Sequence, residues 1–157
     1  MVLALKEAGK RVVVLDNVSS GFKWAVPESV PYVAGETGDQ ALVECIIVAR
    51  GVEAIIHFAA SIAVPEPVAD PLGYYRNNTA SSRTLIECRV KGGVKQFILS
   101  STAAVYGNPA KIPIGEEDAV VPVSPYGFSK LMAEIMLRDA SAAHRLDYVI
   151  LRVWRLS

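Results

Sequence analysis

In Arg11-Val-Val-Val-Leu-Asp16, four apolar residues, three of them β-branched, lead without interruption into an aspartate. A continuous apolar run of this kind suits a strand buried on both faces, as in a parallel sheet. Similar runs recur at Ala54-Ile-Ile-His-Phe58, Gln96-Phe-Ile-Leu-Ser100 and Tyr148-Val-Ile-Leu-Arg152, with a shorter candidate at 30–33. Helical patterns lie between them. Residues 2–8 read as the end of a helix stopped by Gly9, 39–50 as a second helix, 73–90 as a long one ended by Gly92-Gly93, and 126–144 as another. Loops are marked by 17–21, by Pro65, Pro67 and Pro71, and by 109–125 with its four prolines. Strands alternating with helices predict an α/β fold with a doubly wound parallel sheet. Such sheets bind ligands beyond the carboxyl ends of their strands. That rule points to Asp16, to Phe58-Ala-Ala60 and to Ser100-Ser-Thr102.

The chain has 157 residues, about half of them apolar, enough for one domain with a sizeable core. Acidic and basic residues balance at 16 each, so no nucleic-acid partner is expected. Cys45 and Cys88 lack ligand-like spacing and read as buried thiols; no metal site is expected. No apolar run approaches the ~20 residues of a membrane span, and residues 1–10 do not resemble a signal peptide. The expectation is a cytoplasmic protein with no membrane partner.

Asp16 ends the first buried strand. An acidic residue there can accept hydrogen bonds from adenosine ribose hydroxyls and repel a 2′-phosphate, favouring NAD over NADP. It can equally be a turn-former opening the Asn17-Val-Ser-Ser-Gly21 loop. Tyr126 and Lys130 stand four apart on a helix, hence on one face. An ammonium near a phenol favours the phenolate, which can then act as a general base. The alternative is an ordinary surface pair. A hydroxyl of Ser100-Ser101-Thr102 could bind a substrate oxygen, or the segment could be a solvated turn. His57, inside an apolar strand, reads as a packed and hydrogen-bonded core histidine, and His144 as complementing a helix dipole.

Taken together, these stretches resemble the extended short-chain dehydrogenase/reductase family with its Rossmann-like fold, and within it the nucleotide-sugar 4-epimerases. The resemblance rests on Val12-Val-Val-Leu-Asp-Asn-Val-Ser-Ser-Gly21, Ala54-Ile-Ile-His-Phe-Ala-Ala60, Asp70-Pro-Leu-Gly-Tyr-Tyr-Arg-Asn-Asn78, Phe97-Ile-Leu-Ser-Ser-Thr-Ala-Ala-Val-Tyr-Gly107 and Ser124-Pro-Tyr-Gly-Phe-Ser-Lys130, in the family's order. It implies interconversion of UDP-glucose and UDP-galactose by transient oxidation at C4 with bound NAD. Tyr126 would take the proton of the 4-hydroxyl, Thr102 would hydrogen-bond the 4-oxygen, and Lys130 would bind the nicotinamide ribose. Asp16, Asn17 and Gly21 would hold the adenosine end, with Glu36 in place of an adenine-contacting aspartate. Phe58, Ala59, Ala60, Asn78 and Ser100 would line or support the cofactor.

Against the family pattern, the first strand and the glycine-rich pyrophosphate loop have no counterpart, Ile62 stands where many members carry a lysine, and the end departs at Val153-Trp-Arg-Leu-Ser157. The expectation is therefore a partial NAD-binding domain over 1–157, with the substrate-binding domain absent and doubtful activity by itself. A UDP-sugar is the expected partner. A homodimer through the long helices at 73–90 and 126–144 is also implied. Another NAD-dependent nucleotide-sugar epimerase or dehydratase, or a non-catalytic remnant, are the alternative readings.

Overall fold

The computed structural model describes residues 1–61 and 70–154. Ile62, Pro65, Pro67 and residues 155–157 lie outside the described residues. The elements are α1 (Val2–Glu7), β1 (Val14–Asp16), a 3-10 turn (Lys23–Ala25), β2 (Tyr32–Ala34), α2 (Gln40–Arg50) and β3 (Ala54–His57). Then come α3 (Pro71–Tyr74), a π-helical stretch (Tyr75–Ala80), α4 (Ser81–Lys91), β4 (Gln96–Thr102), a second 3-10 turn (Ala103–Tyr106), α5 (Pro125–His144) and β5 (Asp147–Val153).

Local chemistry sets several of the boundaries. Asp39 caps α2 by accepting from the Leu42 N–H at 3.0 Å, and Gly51 ends it in the left-handed conformation at φ 57°. Ser124 caps α5 by accepting from the Gly127 N–H at 3.1 Å, with Pro125 in the first turn. The segment 73–90, expected as a single helix, is three pieces. The wider π turns bring Asn77 and Asn78 to Ser61, where Asn78 Oδ1 accepts from the Ser61 N–H at 2.7 Å and Asn77 Nδ2 donates to Ser61 Oγ at 2.8 Å.

All strands are parallel. β1 pairs with β2, and β3–β4–β5 form a second sheet in which Ile56 faces Ile98 and Ser101 faces Arg152. In the doubly wound order the first strand is central, with the second and third on one side and the fourth to sixth on the other. The described strands are the ones that flank it.

The core is one-sided. Val43 and Ile47 of α2, Leu85, Ile86 and Cys88 of α4, and Ala133 and Leu137 of α5 pack on Phe97 and Leu99 of β4. Among the described residues, α1 contributes no buried side chain. This corrects the reading of strands buried on both faces: β1 is half-buried at best, and Tyr148, Val149, Leu151 and Val153 of β5 are exposed. Cys45 is corrected as well. It is exposed, because Val43 and Ile47, four apart, form the buried stripe of α2 and Cys45 lies across from it. Cys88 is buried as expected. Among the described residues no helix is long and apolar enough to cross a membrane.

Candidate functional site

β4 brings the site residues together at its carboxyl end. Its alternation turns Phe97, Leu99 and Ser101 into the helix-covered core and leaves Ile98, Ser100 and Thr102 half-buried on the other face. Thr102 Oγ1 accepts from the Ala104 N–H at 3.1 Å and so caps the 3-10 turn that follows. That turn lies hard against α5. A Cβ on Gly127 would stand 2.8 Å from the Ala104 carbonyl oxygen and 3.0 Å from Pro122 Cβ. Only glycine allows the start of α5 to come this close.

The approach fixes Tyr126 in the first turn of α5, half-buried, its ring edge-on to Tyr74 with centroids 6.1 Å apart. One turn later Lys130 is buried, and its Nζ donates to the Ser100 carbonyl at 2.7 Å. Burial pushes the Lys130 ammonium down to about 8, against the opposing pull of the Glu134 carboxylate. His57 is buried beneath, with Nε2 2.9 Å from Ser82 Oγ and its ring edge-on to Phe97. Burial, with the nearby Lys130 charge, pushes it down to about 3. It is thus the packed, hydrogen-bonded core histidine expected.

Asn78 ties the segment after β3 to α5. Its Nδ2 donates to the Ser61 carbonyl and to Ser129 Oγ, each at 3.1 Å, and Ser129 Oγ donates to the Tyr126 carbonyl at 2.8 Å. Phe58 and Ala59 are exposed just beyond β3, with Ala60 half-buried. Ser100, Thr102, Tyr126, Lys130 and Asn78 therefore gather around β4 and the first turns of α5.

Asp16 ends β1 of the two-stranded sheet, and Asn17, Gly21 and Glu36 lie in the loops that follow its strands. Asp16 is exposed, and its Oδ1 accepts from the Val18 N–H at 2.6 Å. Its backbone oxygen accepts from Tyr32 OH at 2.8 Å and from the Gly35 N–H at 3.2 Å. Asn17 Oδ1 accepts from the Ser19 N–H at 3.0 Å. Gly21 and Glu36 are exposed in the loops after β1 and β2.

Sequence reasoning missed four participants. Ser61 and Ser129 anchor Asn78 from segments far apart in the chain. Glu134, fully buried, and Arg152, half-buried, form an ion pair, with Arg152 Nη2 2.8 Å from Glu134 Oε2. The available signal for Glu134 was its place four residues after Lys130, on the same helix face. Among the described residues no cluster suits a metal ion.

Comparison with known proteins adds a family to this geometry. Residues 1–156 match the NAD dependent epimerase/dehydratase family. The chain belongs to that family. It is 49% identical over 154 residues to a UDP-glucose 4-epimerase of Azospirillum brasilense, an alignment covering 98% of this chain and 44% of the relative. The crystal structure of UDP-glucose 4-epimerase from Brucella ovis in complex with NAD superposes with a TM-score of 0.94 at 40% identity, over 98% of this chain and 47% of that one. The UDP-Glc/GlcNAc 4-epimerase of Campylobacter jejuni matches with a TM-score of 0.89 at 39% identity, over 95% of this chain and 47% of that one. The chain thus spans less than half the length of each of these family relatives.

Proposed function

We propose that this chain forms the cofactor-binding side of an NAD-dependent nucleotide-sugar 4-epimerase that interconverts UDP-glucose and UDP-galactose. The observation that carries the reading is the buried Lys130 ammonium, held on Ser100 one turn after Tyr126 at the carboxyl end of β4. Similarity to the Azospirillum and Brucella epimerases supports the substrate.

The donor set fits the cofactor at two points. Asp16 and Asn17 offer exposed acceptors beyond β1, suited to ribose hydroxyls. Lys130 has three N–H donors and spends one on Ser100, so the others can reach a second ribose. Bound NAD would supply the hydride acceptor and donor for the sugar C4. The protein's own work is positional and acid–base. Tyr126 would accept the 4-hydroxyl proton and later return it, and Lys130 would hold the cofactor beside it. The Thr102 hydroxyl, which accepts from Ala104, keeps its own O–H for the sugar oxygen. Asn78 and Ser129 hold the Tyr126 turn from behind.

On this reading residues 1–157 are part of an NAD-binding domain, and the second half of a longer enzyme holds most of the nucleotide sugar. α5 exposes Phe128, Met132 and Ile135 at helical spacing, an apolar stripe that favours a homodimer through the long helices. Similarity to the Campylobacter enzyme favours, as a second reading, additional use of UDP-N-acetylhexosamines.

Calorimetric titration of the chain with NAD tests the proposal. Saturable binding that Asp16→Ala and Lys130→Met each weaken is expected. A folded chain that binds no NAD would overturn it.

A further inference from the structure

Two adjacent residues of β4 grip two consecutive turns of α5. The Ser100 carbonyl accepts from Lys130 Nζ at 2.7 Å, and Ser101 Oγ donates to Glu134 Oε1 at 2.5 Å. Glu134 is fully buried. Arg152 Nε and Nη2 reach its two oxygens at 3.2 and 2.8 Å, and Arg138 Nη2 lies 3.5 Å from Oε2. Arg152 is in turn held by Tyr106 OH at 2.7 Å, with its guanidinium 4.9 Å from that ring's centroid. A fully buried carboxylate is costly unless its partners fix it in place. Here the partners come from β4, β5, α5 itself and the turn after β4.

We propose that Glu134 is a positioning residue for Lys130: locked between Ser101 and Arg152, its carboxylate holds α5 in register on β4 and sets the field in which the lysine ammonium stands. This rests on the reading of Lys130 as the cofactor-facing ammonium. The charged and titratable groups around Lys130 are His57 on β3, kept neutral by burial, Tyr126 one turn before it, and the Glu134–Arg152 pair with Tyr106 attached. Glu134 is the charge that opposes the burial of the lysine. A bolt that served stability alone would leave the lysine's titration unchanged when cut.

The test is an NMR titration of the Lys130 side chain, assigned by its loss in Lys130→Met, in the wild-type chain and in Glu134→Gln and Glu134→Asp. The midpoint is expected to fall by about one pH unit in Glu134→Gln, and Glu134→Asp, which keeps the charge, should restore most of it. An unchanged midpoint in folded Glu134→Gln overturns the proposal, as does an aspartate variant that behaves like the glutamine one. Should Glu134→Gln not fold, the Glu134→Met with Arg152→Met double variant carries the test: it removes the carboxylate together with the cation it would otherwise leave unpaired. The Lys130 midpoint must then fall, and an unmoved midpoint overturns the proposal. Above the wild-type midpoint, NAD affinity by calorimetry should drop about tenfold in Glu134→Gln, in step with the charged fraction of Lys130. A wild-type chain that bound no NAD would defeat the functional reading, while the lysine titration would still decide this one.

Discussion

Arg89, fully buried, and Arg152, half-buried, are large cations at opposite ends of the same sheet. Arg89 sits at the amino edge of β4, fully buried, and donates to three backbone carbonyls: Val94 at 3.1 Å, Lys95 at 2.8 Å and Asp147 at 2.5 Å. Ser141 Oγ at 2.9 Å and the Phe97 ring complete its shell. Burial holds it below its ordinary value, and no carboxylate is among its hydrogen-bond partners. Arg152 sits at the carboxyl edge and is paired bidentately with Glu134, and that hydrogen-bonded pair pushes it above its ordinary value. One arginine is bound by dipoles that are themselves part of the frame. The other is bound by a counter-charge one turn from Lys130. Scaffolding can be built from neutral acceptors; a cation near the site comes with an anion, and the anion reaches the chemistry.

Breaking the ion pair from one side should have the largest effect. Arg152→Met leaves the Glu134 carboxylate buried with Ser101 and a distant Arg138, and is expected to cost about 3–5 kcal/mol. Replacing both partners, as Glu134→Met with Arg152→Met, should recover much of that in urea unfolding. A double variant no more stable than the single one would mean that the charge was not the problem. Arg89→Met leaves buried carbonyls without a donor and should cost less, about 1–3 kcal/mol. Its folded fraction should keep wild-type NAD affinity. An Arg89 variant that lost affinity while folded would erase the distinction between the two edges.

The same contrast explains what could be read from sequence. Strand and helix order was legible, because apolar runs ending at Asp16, Phe58 and Ser100 have few other uses. So was the placing of Tyr126 and Lys130 on one helix, since a spacing of four fits helix geometry alone. How many layers cover a strand was not legible: Val12-Val-Val-Leu15 reads identically whether helices pack on one face or two, and here one face carries them. The π turns at Tyr75–Ala80 were hidden because their cause is tertiary, the reach of Asn78 to Ser61 and Ser129. Glu134 finds Arg152 across 18 residues and Ser101 across 33, and no local pattern encodes either contact.

A pH-dependent effect separates the buried cations from the buried neutral base. His57 is held down at about 3, against an ordinary 6.5. Below pH 6.5 the unfolded chain takes up a proton that the folded chain refuses, so stability is lost as pH falls from there toward 3. The slope reaches about 1.4 kcal/mol per pH unit. Lys130, held at about 8, acts in the same sense at the alkaline end: stability rises with pH between about 8 and 10.5. Unfolding midpoints measured across pH should show both limbs. His57→Gln should flatten the acid limb and leave the alkaline one, and a persistent acid limb would assign it to other groups.

The smallest expected effect is also the most discriminating, because it compares two caps of the same hydrogen-bond geometry. Asp39 caps α2 and Ser124 caps α5, each by one side-chain oxygen accepting a backbone N–H. Alanine at either should cost about 1 kcal/mol. The first cap holds a helix that serves the core through Val43 and Ile47. The second holds the turn that carries Tyr126, pressed against Ala104 at a position only Gly127 can occupy. Asp39→Ala should therefore lower the unfolding midpoint and leave NAD affinity in the folded chain alone. Ser124→Ala should lower the midpoint by a similar amount and weaken NAD binding as well, because fraying the first turn of α5 loosens Tyr126 and, through Ser129, the grip of Asn78. Equal losses of affinity in the two variants would show that binding follows global stability; a loss confined to Ser124→Ala would place the functional demand on the start of α5.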